Sequence, residues 1–156
     1  MIRRDLNPWA VGCYTSQIRT KQNHRRLEGL LTEAEKMASE AVLAGVMTYP
    51  AEELADAEKS LMFSEFHDIL PGSAIQSVEE QALGILSHGA EIADRVKRRA
   101  YFSLLSREKK AGEGEYPILA YNPHPWPVKG VFTCEFQLRD QNWSEKYAMP
   151  VLYQNG

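Results

Sequence analysis

Leu27-Glu28-Gly29-Leu30-Leu31-Thr32-Glu33-Ala34-Glu35-Lys36-Met37-Ala38-Ser39-Glu40-Ala41-Val42 decides the fold. Leu27, Leu30, Leu31, Ala34, Met37, Ala38, Ala41 and Val42 recur at three- and four-residue steps, which places them on one stripe of an α-helix. Lys21, Arg25, Arg26, Glu33, Glu35 and Lys36 occupy much of the remaining surface. The helix is expected to start around Thr15 or Ser16, whose hydroxyls can cap exposed backbone N–H groups. It should run to about Ala44 and end at Gly45.

Thr48-Tyr49-Pro50 restarts the chain, because proline suits the first turn of a helix and Glu52 and Glu53 favour its positive end. This second helix presents Leu54, Ala57 and Leu61, then approaches Phe63 and Phe66. It must stop or kink near Leu70, since Pro71 lacks an N–H and Gly72 favours a turn. Ser73 can cap a third helix, in which Ile75, Val78, Ala82, Ile85, Gly89, Ile92 and Val96 form a coiled-coil-like seam. Gly89 on that seam reads either as a close approach of helices or as a weak point.

After Ser106 the character changes. Residues 107–115 are polar and glycine-punctuated, the composition of a linker. Tyr116–Asn122 and Val131–Leu138 read as strands, with Asn122-Pro123-His124-Pro125-Trp126-Pro127 turning the chain between them. Tyr147–Tyr153 is a possible third strand, interrupted by Pro150. Two or three strands rarely make a stable sheet alone. The expected fold is therefore mainly α, a three-helix bundle over residues 1–106, then the linker, then a β segment over residues 116–156 that opens a further domain.

Composition excludes several classes of function. The 156 residues are 44% hydrophobic and 25% charged, which is globular rather than disordered. A formal net charge of -3 gives no footprint for nucleic acid and no basic belt for a membrane. No apolar run approaches the ~18 residues of a membrane span, and a cytoplasmic protein is expected. Cys13 and Cys134 lie far apart, outside any C-x-x-C pair, and are read as free, buried or half-buried thiols.

The densest chemical signal is Phe63-Ser64-Glu65-Phe66-His67-Asp68-Ile69-Leu70-Pro71-Gly72-Ser73. An imidazole and a carboxylate stand side by side at a helix end, before a forced turn that leaves them open to a partner surface. Neutral imidazole binds metals, and the adjacent carboxylate could bind metal or sugar hydroxyls. On spacing alone, such a pair reads more simply as a cap or a surface hydrogen bond. One histidine cannot hold a zinc ion, and no H-x-x-H or H-E-x-x-H motif supplies further ligands.

Phe66-His67-Asp68-Ile69-Leu70-Pro71-Gly72-Ser73 resembles the F-H-D-I-L-P-G-S segment of bacterial glycoside hydrolase family 38 α-mannosidases. In the same order, Asn7-Pro8-Trp9-Ala10-Val11-Gly12-Cys13-Tyr14-Thr15-Ser16 resembles the G-C-Y-T-S lead-in to the family's first middle-domain helix. Ala120-Tyr121-Asn122-Pro123-His124-Pro125-Trp126 resembles the Y-N-P-x-x-W strand that opens its C-terminal β-domain. The resemblance implies a central helical domain followed by the first strands of a β-sandwich. It also implies a retaining α-mannosidase with a divalent metal, most often zinc, shared with an N-terminal barrel. Carried over by position, His67 is a metal ligand and Asp68 contacts mannose hydroxyls. In such relatives the metal favours ring distortion toward an oxocarbenium-like transition state, and carboxylates act as nucleophile and acid/base.

The rest of that machinery is not in this sequence. No D-x-H pair occurs in its 156 residues. Asp5 stands near the place of an acid/base carboxylate in some relatives, but Arg4-Asp5-Leu6 departs from their G-E-L or G-D pattern, and an ordinary surface aspartate is the simpler reading. The resemblance thus implies an enzyme fragment, inactive in isolation, acting on α-mannosides or mannose-containing oligosaccharides together with the other domains of the same enzyme. A non-catalytic helical interaction module is the alternative, disfavoured because the expected strands would leave its sheet unfinished. A metal-storage bundle would need more ligands. Lys21, Arg25, Arg26 and Lys97-Arg98-Arg99 read as solvated faces, and Trp9 and Tyr14 as packing anchors. His24, His88 and His124 receive no role, and Tyr121-Asn122-Pro123 reads as a structural corner.

Overall fold

The computed structural model describes Arg3 and residues 9–134. A short 3-10 turn, Val11–Tyr14, leads into α1 (Ile18–Leu43), α2 (Ala51–Ser64) and α3 (Gln76–Leu105). The helices form a bundle in which α3 packs along both α1 and α2. Among the described residues, no helix is long and apolar enough to cross a membrane.

The expected stripe of α1 is the core. Leu27, Ala34, Met37, Ala38 and Ala41 are buried, facing Leu54 and Ala57 of α2 and Ala82, Leu86, Ile92, Ala93, Val96 and Ala100 of α3. Alanine at so many contact positions lets the helices lie close. The closest point is Gly89, where an added Cβ would come within 2.8 Å of Ser60 Cβ and 2.9 Å of Leu27 Cδ2. Close approach is therefore the correct reading of this glycine. On α3 the buried stripe runs through Leu86 rather than Ile85, and Ile75 is exposed, so the seam tightens only from Ala82 onward.

The C-terminus of α1 ends as its sequence predicts. Gly45 takes φ 73°, its N–H reaches the Val42 carbonyl, and the Val46 N–H reaches the Ala41 carbonyl. These two bonds satisfy orphan carbonyls of the last turn, which only a residue tolerant of left-handed backbone allows cheaply. The N-termini differ from expectation. Neither Thr15 nor Ser16 caps α1: its N-cap is Gln17, itself left-handed at φ 44°, with no side-chain cap. Ser73 does not cap α3 either, because its hydroxyl is taken by Asp68, and Ile75 occupies the N-cap.

α2 stops at Ser64, six residues before the expected limit. There the ladder tightens, with Glu65 N bonded to Met62 O and Phe66 N to Phe63 O. Ser64, fully buried, turns its own hydroxyl back onto the Leu61 carbonyl. Hydroxyl back-bonding of this kind competes with helix continuation.

No strand forms among the described residues. The segment Tyr116–Asn122 instead lies against the bundle, where the Tyr101 hydroxyl donates to the Leu119 carbonyl at 2.6 Å and Tyr121 bonds Glu40. A strand is made by pairing backbone with backbone, and here side chains of α3 and α1 take that place. Residues 131–134 of the second expected strand are also irregular, and its remainder, like Tyr147–Tyr153 and Asp5, lies outside the described residues. Cys134 is exposed and Cys13 half-buried, both as free thiols, so the expectation of burial fails for Cys134.

Candidate functional site

The sequence around His67 folds as one isolated helical turn followed by a glycine reversal. Ile69 N and Leu70 N both reach the Phe66 carbonyl, then Gly72 N reaches Ile69 O with Gly72 at φ 78°. This geometry divides the motif by direction. Ile69, 4% exposed, is driven into the bundle end, while the His67 side chain remains 79% exposed and that of Asp68 53% exposed. His67 Nε2 lies 3.4 Å from Asp68 Oδ2, and the imidazole sits against the Phe66 ring at 4.2 Å between centroids. Asp68 Oδ1 accepts the Ser73 hydroxyl at 3.1 Å. One carboxylate thus ties the turn's two ends together and still faces solvent.

The turn is held from the lead-in to α1 by contacts that sequence reasoning missed. The Ser16 hydroxyl donates to the Pro71 carbonyl at 3.0 Å, Gln17 Nε2 donates to the Ala74 carbonyl at 2.7 Å, and Lys21 Nζ donates to the Ser16 carbonyl at 2.7 Å. Gly72 rests directly on Ser16: a Cβ there would be 2.5 Å from Ser16 Oγ and 2.8 Å from its carbonyl oxygen. His24 Nε2 stands 3.2 Å from Glu65 Oε1, which joins α1 to the end of α2 just ahead of the motif. The signal for most of this was present but ambiguous. Ser16 was legible as a hydrogen-bonding residue and Gly72 as a turn, but nothing in their spacing tells that one sits on the other, 56 positions apart.

Other assignments shift. Lys21 is a structural donor; Arg98 and Arg99 lie on a solvated face as expected, in surface ion pairs with Asp94 and Glu53, while Lys97 is half-buried beside Glu33. Trp9 and Tyr14 are 84% and 67% exposed, so they do not anchor the bundle end. Together with Cys13, Lys21, Leu70 and Pro71 they line an open cavity of about 390 Å³ beside the motif. His88 pairs with Asp56 at 3.7 Å, and His124 stacks on Trp126. The Asn122 side chain accepts from His124 N and donates to the Trp126 carbonyl, which makes the corner structural as expected.

Among the described residues no three His, Cys, Asp or Glu side chains come together as a possible metal site. What the turn presents is one imidazole and one carboxylate, outward, on a backbone pinned from beneath.

A model of the alpha mannosidase middle domain family matches residues 9–104. The proteins named alpha-mannosidase 2C1 from Homo sapiens and from Mus musculus are each 31% identical to this chain over 121 residues, covering 74% of it. The chain spans 11% of the length of either relative. No solved structure matches it significantly.

Proposed function

Because the chain belongs to the middle-domain family of glycoside hydrolase family 38 α-mannosidases, we propose that its His67 turn forms one wall of a retaining, metal-dependent α-mannosidase site. The observation that carries this reading is the exposed imidazole of His67 on a turn whose backbone is fixed from α1. A ligand for a shared metal needs that combination: free ring nitrogen outside, little freedom beneath. The donor set fits a divalent metal in part only, one imidazole with one neighbouring carboxylate, so the other ligands come from another part of a longer protein. Zinc accepts such nitrogen and oxygen ligands and, when bound, supplies Lewis-acid polarisation of sugar hydroxyls.

The chain's own residues have separate tasks. His67 offers a ring nitrogen. Asp68 is an acceptor for mannose hydroxyls, held in register by Ser73. Hydrogen bonds that strengthen as the ring distorts toward the transition state lower the barrier, whereas equally strong ground-state contacts would not. On this reading the nucleophile and most metal ligands lie elsewhere in the longer protein, so the chain alone should hydrolyse no α-mannoside. Its substrates, in the longer protein, are α-mannosides or mannose-containing oligosaccharides.

The test is His67→Ala in the full-length protein, with bound zinc and melting temperature measured together. Zinc content should fall well below stoichiometric while the melting temperature of the metal-free protein stays put, because the side chain contributes little to the core. Full zinc retention with a melting temperature lowered by many degrees would show a structural histidine and overturn the assignment.

A further inference from the structure

We propose that Gln17 is a positioning residue for the metal-ligating turn: its side-chain amide sets where His67 and Asp68 stand. This rests on the function proposed above and adds to it a residue outside the motif. Gln17 opens α1 in left-handed backbone, φ 44° and ψ 50°, a conformation that a glutamine rarely adopts. Such strain persists only where the surroundings over-determine it. Here the strained backbone coincides with a tertiary contact, because Gln17 Nε2 donates to the Ala74 carbonyl at 2.7 Å. Ala74 immediately follows the motif. The preceding residue, Ser16, takes the Pro71 carbonyl at 3.0 Å and supports Gly72 from below.

Two consecutive residues of α1's lead-in therefore grip two carbonyls on the far side of the turn. The near side is closed by Glu65 against His24. Between these holds, the His67 and Asp68 side chains face solvent, Asp68 still bonded to Ser73. Among the described residues Gln17 Oε1 is buried without a hydrogen-bond partner, so the amide is kept at a cost that a solvent-exposed glutamine would avoid. An N-cap role does not account for it, since the side chain makes no cap hydrogen bond. What it does instead is span α1 and the turn. Groups bonded directly to a metal ligand alter metal affinity by about 10- to 100-fold when removed; Gln17 acts one step further back, through the Ala74 carbonyl, and its effect should be smaller.

The experiment uses the full-length protein and zinc ions. Gln17→Asn is the informative variant, because asparagine tolerates left-handed backbone better than glutamine while its arm is one methylene too short to reach Ala74. Gln17→Gly removes the strain and the amide together, and serves if the first variant folds poorly. Zinc affinity, measured by competition with a chelator, should fall severalfold, up to about tenfold, in either variant. The melting temperature of the metal-free protein should hold or rise. Amide exchange at Ile69–Ala74 should quicken. Unchanged zinc affinity in a folded Gln17 variant, beside a His67→Ala control that loses zinc, overturns the positioning role and leaves the proposed function intact. If the His67→Ala control also keeps its zinc, the underlying reading fails and the positioning role fails with it.

Discussion

Gly89 of α3 and Ser60 of α2 stand so close that a methyl group on Gly89 would lie 2.8 Å from Ser60 Cβ. The same methyl would lie 3.2 Å from the Ala57 carbonyl, which is backbone and cannot swing aside. Alanine gains about 1 kcal/mol of helix propensity over glycine. Overpacking a tight contact costs about 1–3 kcal/mol. At this position the contact should dominate, and Gly89→Ala should lower the melting temperature by several degrees. Gly29→Ala and Gly84→Ala are the controls. Both positions are helical with nothing within 4 Å of an added Cβ, so both should raise it. A Gly89→Ala protein as stable as the controls would show that the helices separate at little cost.

Gly72 carries two constraints at once, left-handed backbone and contact with Ser16. An L side chain in that region costs roughly 1–2 kcal/mol, before its collision with the Ser16 carbonyl. Gly72→Ala should therefore displace the turn locally and leave the core alone. Amide exchange should quicken across Ile69–Ala74 and stay slow at Ile92–Val96. Uniform quickening across both would mean that the turn and the bundle unfold as one unit.

Glu53 at the start of α2 is a stability switch with a defined sign. The Arg99 guanidinium, with Arg95 beside it, holds its carboxyl below the usual carboxylate range, against the opposing effect of burial. A depressed native pKa means that the unfolded chain binds the proton more readily. The stabilisation is thus complete above the ordinary value of about 4.5 and drains away as pH falls through the native value. Glu53→Gln should be less stable than the parent at neutral pH, with the gap closing in acid. Parallel stability curves down to the acid limit would remove the ion pair from the balance.

Helices were legible here because their signal is local and repeated. The stripe from Leu27 to Val42 says which face is buried, and Gly45 says where α1 ends, without knowledge of any partner. Caps at Ser16 and Ser73 were misread for a physical reason. A serine hydroxyl serves a helix N–H or a distant acceptor equally well, and Pro71 O and Asp68 Oδ1 are acceptors known only once the fold exists. The strand expected at Tyr116–Asn122 failed likewise. Its apolar and aromatic character suits any pleated or packed surface, and the bundle side offered Tyr101 and Glu40. His67 and Asp68 stand out in the sequence as an adjacent imidazole and carboxylate before a forced turn, but the roles expected of them come from resemblance alone, since such a pair has no periodicity to read.

Tyr121 and Glu40 make the contact that ties residues 116–123 to α1, at 2.6 Å from hydroxyl to carboxylate. Burial first, then the bonded carboxylate, pushes the Tyr121 hydroxyl up to about 12. A raised native value gives stability that is fully present below the unfolded value near 10 and lost as pH rises through the native one. Tyr121→Phe should leave the helices folded but expose residues 107–123 to limited proteolysis. It should also flatten the alkaline loss of protection. Unaltered cleavage kinetics would mean that the segment is held by other contacts.

Asp68→Asn separates the charge of the turn from its shape. The asparagine carbonyl can still accept the Ser73 hydroxyl, so the turn should close as before and the melting temperature should barely move. What disappears is a charged acceptor, whose hydrogen bond contributes about 1.5–3 kcal/mol where it is made. If that bond is made to a mannose hydroxyl in the transition state, kcat/KM of the full-length enzyme on an aryl α-mannoside should fall about ten- to a hundredfold. Zinc content should be retained, in contrast with His67→Ala. Ser73→Ala gives the complementary case: charge kept, restraint lost, with a smaller fall in kcat/KM and faster exchange at the turn. An Asp68→Asn enzyme that loses zinc would make the carboxylate part of the metal's own shell. One that turns over normally would return Asp68 to the simpler role of bracing the turn.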